Sequence, residues 1–385
     1  MIRCIVCGNT NWRMLPVPAA GRAITTSGVV LGESLEREQC MSCGLLRKAS
    51  AKFIGNTRFY EEQYQSYYER PGAAHYDKAR YAAIAAWMKS ALGDFAPKSI
   101  LDVGCGTGRL MALVADSYPG ASIEGVEPST DNAKQARRSG FVVYETRLGS
   151  GETLPNTYDL AYANNVFQHV IDPVSFLRDT SSQLSTSGQV VFILPDAEAP
   201  SNEMLWCDHN FSFRPSDFSA LAKMIGFAVG GWQANPPDDS LLNKQLVVLR
   251  KNNSAEDIVL APQNRYSVER LFELRSDYLT KWHSLDAELV RRIRGARRVF
   301  NFGASMWTWL LAGYCPRYWS RVEACLVDGE HGRCVDKAVI PPNEVAFDED
   351  DRIVLGINPV NQTGFAEKLH PIGAQVVTWS DWIKN

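Results

Sequence analysis

The chain has 385 residues, 45% apolar and 22% charged, with 40 basic against 43 acidic side chains and a formal net charge of −3. This composition excludes a disordered chain, and the near-balance of charge excludes a global basic field that would draw it to nucleic acid or to an anionic membrane. At roughly 150 residues per domain the length calls for two or three domains, and no run approaches the roughly 20 apolar residues that a membrane helix needs.

The amino terminus, Met1 to Gly8, is too short in apolar core for a signal peptide, so the chain reads as cytoplasmic. Two tight pairs follow one another, Cys4-Ile5-Val6-Cys7-Gly8 and Cys40-Met41-Ser42-Cys43-Gly44, with 32 residues between them. Each CxxCG turn points two thiolates at one ion, and its glycine tolerates the positive φ by which a knuckle folds back on its sulfurs. Four sulfurs suit tetrahedral Zn2+, and with every position taken by cysteine no site is left for water, so the ion is structural. Redox CxxC pairs, the competing reading, usually occur once. The other cysteines of the nine (Cys105, Cys207, Cys315, Cys325, Cys334) are scattered, which disfavours a disulfide framework. Residues 1–55 are thus a zinc-binding knuckle domain.

A helical, tyrosine-rich segment spans 56–96, with an alanine-rich helix from Tyr76 to Leu92 that Gly93 and Pro97 end. Over 97–250, β-branched runs (Ile100–Val103, Ser122–Val126, Phe141–Tyr144, Tyr158–Ala163, Gln189–Leu194, Gln245–Leu249) alternate with helix-like stretches, which predicts a doubly wound parallel α/β sheet. Within 251–294, apolar residues at helical spacing from Val268 to Ile293 predict one long connecting helix. A second, smaller α/β unit occupies 295–385, with strands at Arg298–Phe302, Val322–Val327, Arg352–Leu355 and Gln375–Thr378.

The stretch Leu101-Asp102-Val103-Gly104-Cys105-Gly106-Thr107-Gly108 runs from a buried strand into a helix with glycine at alternate positions, so backbone can lie against a ligand. Nineteen residues past Gly108, Glu127 ends the second strand, where a carboxylate accepts hydrogen bonds from two ribose hydroxyls. The spacing is GxGxG rather than GxGxxG, which disfavours a dinucleotide. With Tyr158-Asp159-Leu160, Asn164-Asn165-Val166-Phe167-Gln168-His169-Val170 and Asp172-Pro173, this segment resembles the class I S-adenosylmethionine-dependent methyltransferases, although Gln168 stands where many members carry an acid. The resemblance implies that Asp102 and Gly104, Cys105, Gly106, Thr107 and Gly108 hold the methionine part of the cofactor. It likewise implies that Glu127 holds the ribose, with Asn164, Asn165 and Val166 as the floor beneath the sulfonium.

Beyond the fifth strand lies Trp206-Cys207-Asp208-His209-Asn210-Phe211-Ser212-Phe213-Arg214, at the carboxyl edge where doubly wound folds place substrates. A neutral His209 can remove a proton near neutral pH, and a nearby carboxylate, Asp208 being the sequence neighbour, stabilises the imidazolium. His169 reads as mainly structural. The whole layout is similar to the zinc-containing deoxysugar C-methyltransferases, whose members typically read Glu-His-x-x-x-Phe-Ser after the fifth strand. That resemblance implies a nucleotide-linked keto sugar as small-molecule substrate, an enolate intermediate, His209 as base with Asp208 beside it, and a carrier-binding tail. Trp206 stands near where the family often has tyrosine, so the resemblance implies that a phenol from Tyr64, Tyr67 or Tyr68 takes that tyrosine's place as a substrate contact. In the tail, Gly303-Ala304-Ser305-Met306-Trp307-Thr308-Trp309 replaces a pattern like Gly-Ala-Ser-Thr-Lys-Gly-Asn-Thr, while Asp328 with Gly332 and Arg333 keeps the acid and basic stretch. Gly303, Ser305, Asp328 and Arg333, with Trp206, are therefore the remaining substrate candidates. Methyl transfer to oxygen or nitrogen of another metabolite, and a non-catalytic zinc-bearing binding module, are the alternative functions.

Overall fold

The computed structural model describes residues 2–18, 21–49, 60–61, 74–234, 243–251, 263–369 and 373–383. Tyr64, Tyr67 and Tyr68 lie outside the described residues. Contacts group the chain into two compact units. The first takes Met1–Arg13, Glu38–Glu203 and Asp208–Leu271, and the second takes Met14–Arg37, Met204–Cys207 and Phe272–Asn385.

In the first unit the two knuckles sit on a small sheet of β1 (Trp12–Met14), β2 (Arg37–Cys40) and β3 (Leu46–Lys48). Each knuckle closes by a backbone hydrogen bond to its first cysteine, from Gly8 N to Cys4 O at 2.9 Å and from Gly44 N to Cys40 O at 2.8 Å. The returning glycines have φ of 72° and 86°, the left-handed backbone that CxxCG requires.

The main sheet uses β4 (Ser99–Val103), β5 (Ser122–Val126), β6 (Val142–Tyr144), β7 (Tyr158–Asn164) and β8 (Leu184–Pro195). A two-residue strand β9 (Phe211–Ser212) then joins the knuckle sheet as its fourth member. The chain returns to the main sheet with β10 (Phe227–Ala234) and β11 (Lys244–Lys251), giving the order β10-β11-β8-β7-β4-β5-β6. The first five strands are parallel, as the alternation predicts. β11 runs antiparallel to both of its neighbours, β8 and β10, a correction to the all-parallel expectation. The sequence reading also lacks β10, because Gly230-Gly231 at its centre reads as a loop.

Uniformly apolar runs make these strands because both faces are covered. Leu101, Val103, Val190, Phe192 and Leu194 enter one core, whereas Ile100, Val191 and Ile193 enter another with Ile84, Trp87 and Met88 of α1 (Ala74–Leu92). The knuckle residues Cys4, Cys40 and Leu45 share the first of these cores with Phe167 and Phe213. Strand order reverses between β4 and β7, which opens a crevice at their carboxyl ends.

The second unit contains a short hairpin, Ala23–Ile24 against Val30–Leu31, and a six-stranded sheet. That sheet comprises β12 (Val299–Phe302), β13 (Val322–Leu326), β14 (Gly332–Cys334), β15 (Lys337–Ile340), β16 (Arg352–Leu355) and β17 (Gln375–Val377), in the order β14-β15-β13-β12-β16-β17. The long helix is observed at Val268–Arg292. From its second turn it belongs to this unit, burying Leu279, Trp282, Leu285 and Leu289 on one stripe, with Trp282 against Trp307 and Trp379.

At the base of this sheet the Asp351 side chain is fully buried and accepts from Arg298 Nε at 3.0 Å and Nη2 at 2.5 Å. The guanidinium holds the Asp351 carboxyl down to about 2 from an ordinary 3.8. Between those values the unfolded chain binds the extra proton, so this pair's stabilisation is complete above pH 3.8 and fades as pH falls toward 2. Asp351→Asn should lower stability at neutral pH and flatten its decline over that window, as chemical denaturation at stepped pH would measure; an unchanged acid slope would contradict it. Among the described residues no helix is long and apolar enough to cross a membrane.

Candidate active site

β4 delivers the buried Asp102 to the crevice and then turns through Gly104, Gly106 and Gly108, whose φ values are 77°, 55° and 81°. The amides of Gly104 and Cys105 donate to Val126 O at 2.7 and 3.0 Å, pinning the loop to the end of β5. The next residue, Glu127, is buried and accepts from Gly106 N and Ser129 N, both at 2.9 Å. Thr107 is buried within the loop, and Gly108 caps the helix α2 (Arg109–Ser117). The Cys105 sulfur packs with Met111, Ala133, Ala136 and Val143, so in the crevice this residue offers backbone.

Opposite the loop stands the end of β7. A Cβ on Gly104 would lie 2.5 Å from Val166 Cγ2, so glycine is what allows the two segments to approach. Asn165 adopts a left-handed φ of 56°. Asn164, two residues beyond the Tyr162 that pairs with Asp102, keeps Oδ1 buried without a hydrogen-bond partner among the described residues. Burial, followed by the nearby Asp102 carboxylate, pushes Tyr162 well above the ordinary phenol value.

The loops after β7 and β8 bring two histidines together, with His169 and His209 ring centroids 4.7 Å apart and nearly perpendicular. His169 Nδ1 lies 2.9 Å from Asp208 O and 2.9 Å from Tyr60 Oη. A carbonyl only accepts, so Nδ1 carries the proton and Nε2 keeps its lone pair. The carboxylates are distributed otherwise than the sequence suggests. Asp208 Oδ2 is 3.6 Å from His169 Nδ1, and the carboxylate facing His209 Nδ1, also at 3.6 Å, is that of Glu203. Glu203 is oriented by Ser212 Oγ, which donates to its Oε1 at 2.7 Å. Burial lowers the His169 pKa, with Asp208 opposing. Lys244, at the start of β11, donates to Asn165 Oδ1, and desolvation with Arg80 nearby brings its ammonium down to about 7. Tyr60, His169, Glu203 and Lys244 were not among the catalytic and binding candidates read from sequence. His169 lay inside a quoted motif and Tyr60 beside the phenol-rich segment, whereas Glu203 and Lys244 carry no spacing signal.

Residues 76–229 match the family profile of a methyltransferase domain. A ubiquinone biosynthesis O-methyltransferase of Bordetella bronchiseptica is 31% identical over 174 residues, spanning 39% of this chain and 71% of the relative. The chain belongs to the S-adenosylmethionine-dependent methyltransferases. A trans-aconitate 2-methyltransferase of Rhodopseudomonas palustris is 33% identical over 115 residues, 29% of this chain, which thus spans under half (44%) of that relative's length. Among solved structures, mitomycin 7-O-methyltransferase MmcR is 21% identical at a TM-score of 0.39, covering 48% of this chain and 59% of the other.

The crevice of this methyltransferase fits the cofactor. A glycine loop leaves its backbone accessible, the Glu127 carboxylate closes the second strand, and Asn164 Oδ1 is a buried acceptor in need of a donor.

The four cysteine sulfurs Cys4, Cys7, Cys40 and Cys43 lie within 4.8 Å of one another, with Cys4–Cys43 and Cys7–Cys40 at 3.6 Å. Tetrahedral zinc with Zn–S of about 2.3 Å sets sulfurs about 3.8 Å apart, so the cluster has the right dimensions for that ion. The Cys43 thiol beside it brings Cys4 down to about 5, while the same contact raises Cys43.

In the second unit, Gly303 has φ 106°, and its carbonyl accepts from Asn301 Nδ2 and Thr308 Oγ1 at 2.8 and 3.0 Å. Ser305 caps helix α3 (Met306–Tyr314) without a side-chain bond. Asp328 borders a cavity of about 690 Å³ together with Gly329, His331, Pro341, Glu344 and Phe347. Arg333, on β14, donates to Asp336 O at 3.2 Å. Trp206 groups with this unit, where its carbonyl accepts from Arg37.

Proposed function

We propose that the protein transfers a methyl group from S-adenosylmethionine to the carbon beside a ketone in a nucleotide-linked keto-deoxysugar. The observation that carries the reading is the buried His209 with the Glu203 carboxylate 3.6 Å from its Nδ1. With Nδ1–H directed at Glu203, Nε2 is the atom that takes a carbon-bound proton, and the imidazolium formed is stabilised by the carboxylate. The bound cofactor supplies an electrophilic methyl on its sulfonium. The chain's own residues move the proton, hold the enolate carbon in line and exclude water, and such positioning supplies much of an acceleration of this kind. Asp208, through His169, braces the base rather than serving it directly.

In this reading the four-cysteine cluster holds one structural Zn2+, Asp102 and the Gly104–Gly108 loop hold the methionine part, and Glu127 holds the ribose. The cavity beside Asp328 takes the carrier, with Asp328 accepting from its ribose hydroxyls, Arg333 near its diphosphate, and Gly303 and Ser305 at the neighbouring strand end. Oxygen as the acceptor is a second reading, favoured by the O-methyltransferase activity of the Bordetella relative.

Deuterium separates the two. With a keto substrate labelled at the candidate carbon, the methylated product should have lost one deuterium, and His209→Ala should abolish turnover while S-adenosylhomocysteine affinity changes by less than about threefold. Full retention of deuterium in the product would exclude carbon transfer at that atom and leave the oxygen reading.

A further inference from the structure

The knuckle sheet and the histidine pair are joined through one residue. Asn210 is buried directly after His209, and three of its groups bond to two segments. Its amide N–H donates to Gln168 O at 2.7 Å, and its side-chain Nδ2 donates to His169 O at 2.6 Å. Its carbonyl accepts from Lys48 N at 2.9 Å. Lys48 ends β3, and the next two residues after Asn210 form β9, pairing Phe211 with Arg47 and Ser212 with Leu46. Two residues further, Arg214 donates to Cys43 O at 3.0 Å, held in place by the buried Glu198 at 2.6 and 3.0 Å. A Cβ on Gly44 would strike that guanidinium at 2.6 Å, so the knuckle glycine and Arg214 are fitted to each other. The segment carrying His209 is thus a strand of the sheet that the cysteine cluster closes.

We propose that Asn210 is a positioning residue that fixes the mutual orientation of His169 and His209, and that the metal-loaded knuckle sets that orientation through Asn210. The inference rests on the functional reading only for what the histidines do. The coupling itself is a property of the fold. Removing the ion frees Cys40 and Cys43 from their fixed turn, loosens β3, and with it the Lys48 amide that holds the Asn210 carbonyl. The His209 backbone then loses its register against His169, while the glycine loop and Glu127, held by β4 and β5, keep theirs.

Ring nitrogen resonances of ¹⁵N-histidine-labelled, zinc-loaded full-length protein, titrated with S-adenosylhomocysteine present, test this without any acceptor. Asn210→Ala should shift both ring resonances and move the His169 midpoint by ~0.5 pH unit or more, with S-adenosylhomocysteine affinity within about twofold of wild type. Withdrawing zinc with a chelator should displace the same resonances in wild type, and should add little in Asn210→Ala, since both act on one linkage. Asn210→Ser, which keeps a donor, should recover part of the wild-type spectrum and stands in if the alanine variant does not fold. Unmoved histidine resonances on zinc withdrawal, equal displacement in wild type and Asn210→Ala, or loss of S-adenosylhomocysteine binding on chelation would each overturn the proposal. Coupled resonances in a protein that methylates no keto sugar would instead refute only the assigned reaction.

Discussion

Replacing Cys40 by serine is expected to empty the knuckle of metal and to unfold the knuckle sheet. Cys40 is fully buried, its sulfur 3.6 Å from that of Cys7, and its side chain packs in the core that also holds Leu45, Phe167 and Phe213. Structural zinc in small modules contributes about 10–16 kcal/mol of apparent binding energy, which is what folds a segment too small for a sufficient core of its own. A serine hydroxyl is a poor ligand for the ion and leaves a polar group in an apolar core. Elemental analysis should fall from about one zinc per chain to none, and the first unit should melt at a lower temperature than in wild type while S-adenosylhomocysteine still binds below that transition. A variant that lacks metal yet melts where wild type does would show the cluster to be dispensable.

The second large effect is expected at Gly104. Alanine there must adopt φ 77°, which costs an L residue about 1–2 kcal/mol. Its Cβ would also lie 2.5 Å from Val166 Cγ2, a distance that forces the loop and the end of β7 apart. The Gly104 amide bond to Val126 O and the Gly106 bond to Glu127 both depend on the loop's present path. A combined loss of about 3 kcal/mol in cofactor affinity corresponds to a dissociation constant on the order of 100-fold weaker. Calorimetry with S-adenosylhomocysteine would read this directly. A change under about threefold would mean that the loop does not contact the cofactor.

How far the sequence speaks for itself varies with the kind of interaction. Local chemistry was legible: the CxxCG turns need their glycines, and the structure gathers all four sulfurs; Ser122–Val126 is a strand as read, and the long helix agrees to within a residue at each end. The edge strand Phe227–Ala234 was not, since two glycines interrupt its alternation and its identity depends on pairing with Lys244–Lys251. The strand Lys337–Ile340 likewise depends on pairing, here in parallel with Val322–Leu326. At the site, His209 could be picked from its motif, but its carboxylate could not. Glu203 lies six residues upstream on a short 3-10 turn, while the adjacent Asp208 turns toward His169. Adjacent residues in irregular backbone have no fixed angular relation, so sequence proximity says little about which side chains meet.

The path of the chain between the two units carries a consequence for how this protein can be made and modified. Residues 14–37 depart from the first unit after β1 and return to it only at Glu38, and 204–207 make a second brief excursion. The excursion's own partners are distant in sequence: the Cβ position of Gly28 faces the Trp309 ring, and Ile24 receives the amide of Cys207. A ribosome emitting this chain therefore completes the four-cysteine cluster within the first 43 residues, while the loop between its halves waits for Trp309. Neither unit can be excised by a single cut, and swapping the carboxyl-terminal third for that of another protein would strand residues 14–37 against an unmatched surface. Genetic exchange at this locus should thus preserve the two ends of the chain together, as an interleaved pair rather than as interchangeable cassettes.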